Sequence, residues 1–176
     1  FSKFLILTCC ILIPGSGKRE IDKMLERFYP DYYMESAYQI DYEGLYQKGY
    51  RGILFDIDNT LVPHGAPADE RAEALFVRLK AIGYDCVLIS NNKEPRVKQF
   101  NDVVRVRYLY KAGKPGVKGY KKAMELMGTD TTNTFFVGDQ LFTDVWGAKR
   151  AGITSYLTRP IDPREEIQIV LKRYLE

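Results

Sequence analysis

From residue 50 onward the apolar positions follow two different periods in turn. Short apolar runs rich in β-branched and aromatic residues stand at 53–57 (I-L-F-D-I), 86–90 (C-V-L-I-S), around 104–109 (V-R-V-R-Y-L), 134–138 (T-F-F-V-G) and 153–157 (I-T-S-Y-L). Most of these runs lack polar alternation, which implies strands buried on both faces, as in a parallel sheet. Between the first two, Ala72, Leu75, Phe76 and Leu79 recur at helical spacing across 69–82, and Gly83 supplies a stop. Further helices are predicted near 95–101, 117–127, 143–151 and 163–174. Strands alternating with helices predict a doubly wound α/β domain over residues 51–176, with five parallel strands and its chemistry at their carboxyl ends.

A chain of 176 residues is long enough for one domain with a buried core. The first two dozen residues do not fit that domain. An apolar run begins at Phe4 and ends before Pro14, too short to span a bilayer and without an A-x-A-like cleavage site. Residues 1–23 are therefore expected to be a non-native or disordered extension, with translation starting at Met24 and membrane anchoring as the other reading. Residues 24–50 form an aromatic-rich segment expected to pack on the domain. Eight aromatic residues fall between Phe28 and Tyr50, in a chain with 13 Tyr, one Trp and one His.

Charge and cysteine content narrow the function classes. Lys and Arg outnumber Asp and Glu by only 26 to 23, and no basic stripe of the kind that lines a nucleic-acid groove is present. Nucleic acid is thus not the expected partner. Cys9, Cys10 and Cys86 offer neither a disulfide framework nor Cys-x-x-Cys metal spacing, which suits a reducing cytoplasm.

The candidate chemistry lies where the predicted strands end. The first runs into F-D-I-D-N-T-L, bringing Asp56, Asp58, Asn59 and Thr60 to its carboxyl end. Carboxylates two residues apart project to opposite faces of a strand, so both reach one site only if the backbone turns after Asp56. Clustered buried acids need a cation or hydrogen bonds, and Mg²⁺, a hard oxygen-liganded ion, meets that need. A solvated turn capping a helix is the plainer alternative. The second strand ends in Ser90-Asn91-Asn92, where a hydroxyl and backbone amides suit phosphate oxygens. After the third comes K-A-G-K-P-G, in which Lys111 or Lys114 could bring a point charge to phosphate, Lys114 being the stronger candidate. The fourth ends in F-V-G-D-Q-L-F-T-D, so Asp139 and Asp144 flank a turn and could complete a metal site.

In this order, D-I-D-N-T, Ser90, Lys114-Pro115 and G-D-Q-L-F-T-D resemble motifs one to four of the haloacid dehalogenase (HAD) superfamily of phosphatases. The resemblance spans about Tyr50 to Leu157. D-x-D-N-T-L together with G-D-Q-x-x-T-D-V-x-G-A-x-R-A-G is similar to the class IIIA branch that includes phosphatidylglycerophosphate phosphatase relatives. The resemblance implies a HAD-like Rossmannoid fold and a phosphatase with Asp56 as nucleophile, forming an aspartyl phosphate. Asp58 would protonate the leaving alcohol and then activate water. It also implies Mg²⁺ held by the Asp56 carboxylate, the Asp58 backbone carbonyl and Asp139, with Asp144 on the ion or just behind it. Ser90 and Lys114 would cradle the phosphate, with Asn91 and Thr60 beside them.

The gaps from Thr60 to Ser90 and from Ser90 to Lys114 leave no room for a cap domain, which suits a bulky or surface-presented phosphate. The expected partner is a phosphorylated small molecule or a lipid headgroup, with phosphatidylglycerophosphate the specific expectation. The protein is expected in the cytoplasm, with peripheral membrane contact through the Tyr-rich segment as an option. Alternatives are a phosphatase for a soluble sugar or nucleotide phosphate, and a non-catalytic binding module.

Overall fold

The computed structural model describes Glu26 and residues 28–162. The apolar segment at 1–23 and the helix predicted at 163–174 lie outside these residues. Six strands form one sheet: β1 (Tyr32–Met34), β2 (Gly52–Phe55), β3 (Asp85–Ile89), β4 (Arg107–Leu109), β5 (Thr134–Gly138) and β6 (Thr154–Thr158). Their order is β1-β6-β5-β2-β3-β4, and every pair is parallel. The helices are α1 (Tyr42–Gln47), α2 (Glu70–Ile82), α3 (Glu94–Val104), α4 (Val117–Met127) and α5 (Trp146–Ala151).

The alternation within the central strands builds a core on each face. Ile53, Phe55, Cys86, Leu88, Phe135 and Val137 point to the side covered by α1, α2 and α3. Leu54, Val87, Ile89 and Phe136 point to the side covered by α4 and α5. Buried apolar residues on both faces are what a parallel sheet clad in helices requires. Local signals set the helix bounds. In α2, the Asp69 carboxylate caps the Ala72 N–H, and Gly83 closes the helix at φ 110° with its N–H on the Leu79 and Lys80 carbonyls.

Three expectations are corrected. The sheet has six strands rather than five, because residues 32–34 pair with β6 at one edge. That strand has no apolar alternation to announce it. Two contacts fix it instead: Tyr32 stacks on Tyr156 at 4.7 Å, and the Asp31 carboxylate accepts from the Ser155 N–H and hydroxyl, both at 2.8 Å. Second, the strand expected around 104–109 begins only at Arg107, since α3 runs to Val104 and Arg105 closes it in the left-handed region at φ 54°. Third, the helix expected at 143–151 opens as a π turn over Leu141–Val145 before α5 begins.

Part of the aromatic segment belongs to the core. Ala37, Ile40, Tyr42 and Leu45 are buried, the Tyr42 hydroxyl donates to the Ala37 carbonyl at 2.7 Å, and the Tyr84 hydroxyl donates to the Tyr42 carbonyl at 2.9 Å. Tyr29, Tyr32 and Tyr33 remain exposed. Among the described residues, no helix is long and apolar enough to cross a membrane.

Candidate active site

Four strand ends and the loops after them meet at the carboxyl edge of the sheet. Asp56 extends β2 by one ladder bond, its N–H donating to the Val137 carbonyl at 3.0 Å. The chain then turns: Leu61 N–H donates to Ile57 O at 2.9 Å, Asn59 N–H to Val62 O at 2.7 Å, and Asn59 sits in the left-handed region at φ 62°. This is the turn that the spacing of Asp56 and Asp58 demands. It sends the two carboxylates to different partners rather than to one point.

Asp56 joins Asp139 and Asp144 in a buried group in which one oxygen from each carboxylate lies within 4.8 Å of the other two. Asp139 follows β5 directly, and Asp144 comes from the π turn. Gly138 permits this packing, since a Cβ there would sit 2.5 Å from Asp144 Oδ2. Lys114 reaches into the group and donates to Asp56 Oδ1 at 2.6 Å and to Asp144 Oδ1 at 2.7 Å. Lys111, the alternative cation, is exposed.

The neighbours hold this group in place. Asn91 clamps the backbone of Lys114 from both sides, accepting its N–H at 2.7 Å and donating to its carbonyl at 2.9 Å. The Asn91 side chain is thus spent on positioning Lys114. Thr60 likewise supports a carboxylate, its hydroxyl donating to Asp139 Oδ1 at 3.1 Å. Ser90 is buried at the end of β3, and its Oγ accepts the Asn92 N–H at 3.1 Å. The Tyr120 hydroxyl, which the sequence did not mark, reaches the carbonyls of Thr143 and Asp144 at 3.1 and 3.2 Å and braces the π turn.

Asp58 stands apart, tied to the second strand end and the helix after it. Its Oδ1 accepts from Gly65 N–H at 2.8 Å and from Arg96 Nη2 and Nε at 2.8 and 3.1 Å, and its Oδ2 accepts from Asn92 Nδ2 at 2.6 Å. His64 lies beside it, with Nδ1 3.8 Å from Oδ1 and nearly half of its side chain exposed. Sequence reasoning missed Arg96 and Asn92 as site residues. Their spacing of four along the chain is the one available signal, and it takes on meaning only once the fold brings Asp58 alongside.

With protein charges alone, this edge is electrostatically unfavourable. Burial first, then the charges of Asp144 and Asp56, push Asp139 up to about 9. Burial, with added repulsion from Asp144, pushes Asp56 up to about 7 against the opposing pull of Lys114. Burial alone would favour neutral Lys114, but the carboxylates of Asp144 and Asp56 more than reverse this and hold its ammonium charged. Fully ionised, the three carboxylates and one ammonium sum to a formal charge of −3 + 1 = −2. One divalent cation neutralises that charge. Asp139 Oδ2 is buried with no hydrogen-bond partner among the described residues, so the donor set also contains an oxygen that a cation would satisfy.

Comparisons with known proteins agree with this geometry. A family model described as HAD-hydrolase-like matches residues 111–160, which carry Lys114, Asp139 and Asp144. The probable phosphatase YqeG of Bacillus subtilis is 36% identical over 140 residues, spanning 78% of this chain and 81% of its own length. Phosphatidylglycerophosphate phosphatase 1 of Arabidopsis thaliana is 29% identical over 74% of this chain, which spans only 40% of the plant protein. In fold, the cobalt-bound deoxy-D-mannose-octulosonate 8-phosphate phosphatase YrbI of Haemophilus influenzae superposes with a TM-score of 0.51 at 12% identity, covering 71% of this chain and 89% of that one. Fold, acidic site and relatives converge, and the chain belongs to the HAD-like family of phosphatases.

Proposed function

We propose that this phosphatase cleaves phosphomonoesters with Mg²⁺ through an aspartyl phosphate on Asp56, and that its substrate is phosphatidylglycerophosphate. The observation that carries the chemistry is the bridge of Lys114 between Asp56 and Asp144, beside an Asp139 oxygen without a partner. An Asp56 oxygen attacks phosphorus while the bond to the leaving alcohol breaks, and that alcohol takes a proton from Asp58. Water then attacks the same phosphorus and gives a proton back to Asp58, releasing inorganic phosphate and the Asp56 carboxylate. Lys114 and the Ser90 hydroxyl hold the phosphate oxygens, and Asn91 fixes where the lysine sits. Asp56, Asp139, Asp144 and the Asp58 carbonyl would hold Mg²⁺, which would supply charge neutralisation on the transferring phosphoryl group.

Two observations support the lipid substrate. Between Thr60 and Ser90 the chain contains only a loop, α2 and β3, so no further element roofs the site on that stretch. Phe142, two residues before Asp144, is exposed and packs at a tilt on Phe28 at 5.3 Å, and Tyr29, Tyr32 and Tyr33 are exposed on the same segment and strand. Aromatic side chains of this kind settle at a lipid headgroup layer. A cytoplasmic protein touching the membrane peripherally fits that surface. The Arabidopsis relative, a phosphatidylglycerophosphate phosphatase, favours the same substrate.

The test is a substrate panel: phosphatidylglycerophosphate in mixed micelles against sugar and nucleotide monophosphates, each with Mg²⁺ and with EDTA. The lipid is expected to be turned over fastest and only with the metal. Faster turnover of a soluble sugar or nucleotide phosphate transfers the assignment to that class.

A further inference from the structure

We propose that Arg96, assisted by Asn92, is a second anion contact, which selects phosphomonoesters whose leaving alcohol carries a further negative charge. This rests on the reading of Asp58 as the residue that meets the leaving oxygen. If Asp58 does so, the leaving alcohol arrives beside the two side chains bonded to Asp58, namely Asn92 and Arg96.

The geometry of the arginine is unusual. A guanidinium facing a carboxylate ordinarily sets two nitrogens against two oxygens. Here Nε and Nη2 both converge on Asp58 Oδ1, at 3.1 and 2.8 Å, while Oδ2 is taken by Asn92 at 2.6 Å. The remaining nitrogen, Nη1, is buried and has no hydrogen-bond partner among the described residues. An unpaired buried donor on a charged group is costly, so it calls for an acceptor that the protein does not provide. Asp58 already accepts from four donors, the Gly65 N–H included, and so does not need Nη1. A second carboxylate would satisfy Nη1, but the acids of the neighbouring group are committed to Lys114, Thr60 and the metal position. An oxyanion on the substrate is the acceptor that remains. His64, nearly half exposed, lies 3.8 Å from Asp58 Oδ1, so the pair of Asp58 and Arg96 stands close to the surface on that side.

The chemistry recognised is an oxyanion close to the leaving oxygen. A phosphodiester in a lipid headgroup and a carboxylate on a small metabolite both provide it. The experiment compares kcat/KM of the Mg²⁺-loaded wild type, Arg96→Gln and Arg96→Lys on three soluble esters. These are glycerol 3-phosphate with a neutral leaving alcohol, 3-phosphoglycerate with a carboxylate, and the deacylated headgroup glycerophosphoglycerol phosphate with a phosphodiester. The wild type is expected to favour a charged ester over glycerol 3-phosphate, and whichever charged ester it favours identifies the source. Arg96→Gln, which also loosens Asp58, should lose about 10- to 100-fold more on that ester than on glycerol 3-phosphate, the excess lying mostly in KM, with Arg96→Lys recovering part of it.

Equal losses on all three esters, carried by kcat, would reduce Arg96 to a positioning residue for Asp58 and overturn the proposal. So would a wild type indifferent to the second charge. Should the variants fail to fold, inhibition of the wild type by glycerophosphoglycerol against glycerol decides: stronger competitive inhibition by the diester supports the contact, and equal inhibition refutes it. A wild type inactive on every ester, the lipid included, would instead bring down the catalytic assignment itself.

Discussion

The Lys114 ammonium lies 2.6 Å from Asp56 Oδ1, and both side chains are buried. This pairing orients Asp56, the proposed nucleophile, while leaving its other oxygen for phosphorus or metal. Lys114→Ala is expected to lower kcat by about 10² to 10³. The strands do not depend on this side chain, and neighbouring acids can take up protons in its place, so circular dichroism should remain that of the wild type. Unchanged steady-state kinetics would remove Lys114 from the phosphate site.

Stability and metal binding should be linked through pH. Asp139 and Asp56, raised to about 9 and about 7, hold protons in the folded protein that the unfolded chain, with ordinary values of about 3.9, has already released. The folded state thus binds more protons, and without a divalent cation its stability falls as pH rises through that interval. Asp31, Glu43 and Asp130 are shifted downward and titrate below it. In EDTA, Tm should fall between about pH 5 and pH 9, and the gain in Tm on adding Mg²⁺ should be larger near about pH 8.5 than near about pH 6. A Mg²⁺ effect independent of pH would contradict the raised carboxylates.

Asn91 makes two hydrogen bonds to the backbone of Lys114 and serves as its anchor. Asn91→Ala should cost about 1 to 3 kcal/mol of stability, from bonds worth about 0.5 to 1.5 kcal/mol each, and lower kcat more than it raises KM. Thermal melts and steady-state kinetics measure both. A variant with lower Tm and intact kcat would separate the clamp from catalysis.

Gly138→Ala tests how closely β5 approaches the acidic group. The added Cβ would meet Asp144 Oδ2 and Asp144 Cγ at 2.5 and 2.8 Å and displace that carboxylate. Mg²⁺ affinity by calorimetry should weaken about 10-fold or more, in line with losses seen when the support of a metal ligand is disturbed. Unaltered affinity would place Asp144 away from the ion.

Exposed aromatics near the site predict lipid contact. Tyr29 and Tyr33 changed together to Ser should reduce co-sedimentation with anionic liposomes while leaving turnover of a soluble phosphomonoester within about twofold, as expected for exposed side chains outside the acidic group. Equal co-sedimentation by variant and wild type would detach these residues from any membrane role.

Much of this architecture was legible along the chain because each acid or cation follows its own apolar run. Asp56 after I-L-F, Ser90 after V-L-I and Asp139 after F-F-V-G could be assigned to one sheet edge from periodicity alone. The part that resisted is tertiary. Strand β1 is three residues held by a tyrosine stack and Asp31, neither of which leaves a periodic mark. Val104 and Arg105 look like part of a strand but close a helix: the half-buried Val104 packs against the core, which outweighs its β-propensity, and Arg105 caps the helix in the left-handed region. Thr60 and Asn91 were placed at the right edge with expected contacts to phosphate, yet their side chains hold Asp139 and Lys114. Arg96 shows nothing in sequence beyond a charged residue on a helix, because its meaning depends on the turn that swings Asp58 toward it.

The most direct test of Asp56 as nucleophile is peptide mass spectrometry after rapid acid quench of Mg²⁺-loaded Asp58→Asn protein mixed with phosphatidylglycerophosphate. Loss of the water-activating carboxylate should let a phosphoryl adduct accumulate on the peptide that contains Asp56, and Asp56→Asn should carry none and turn over no substrate. An adduct on another residue, or near-normal turnover by Asp56→Asn, would contradict the mechanism.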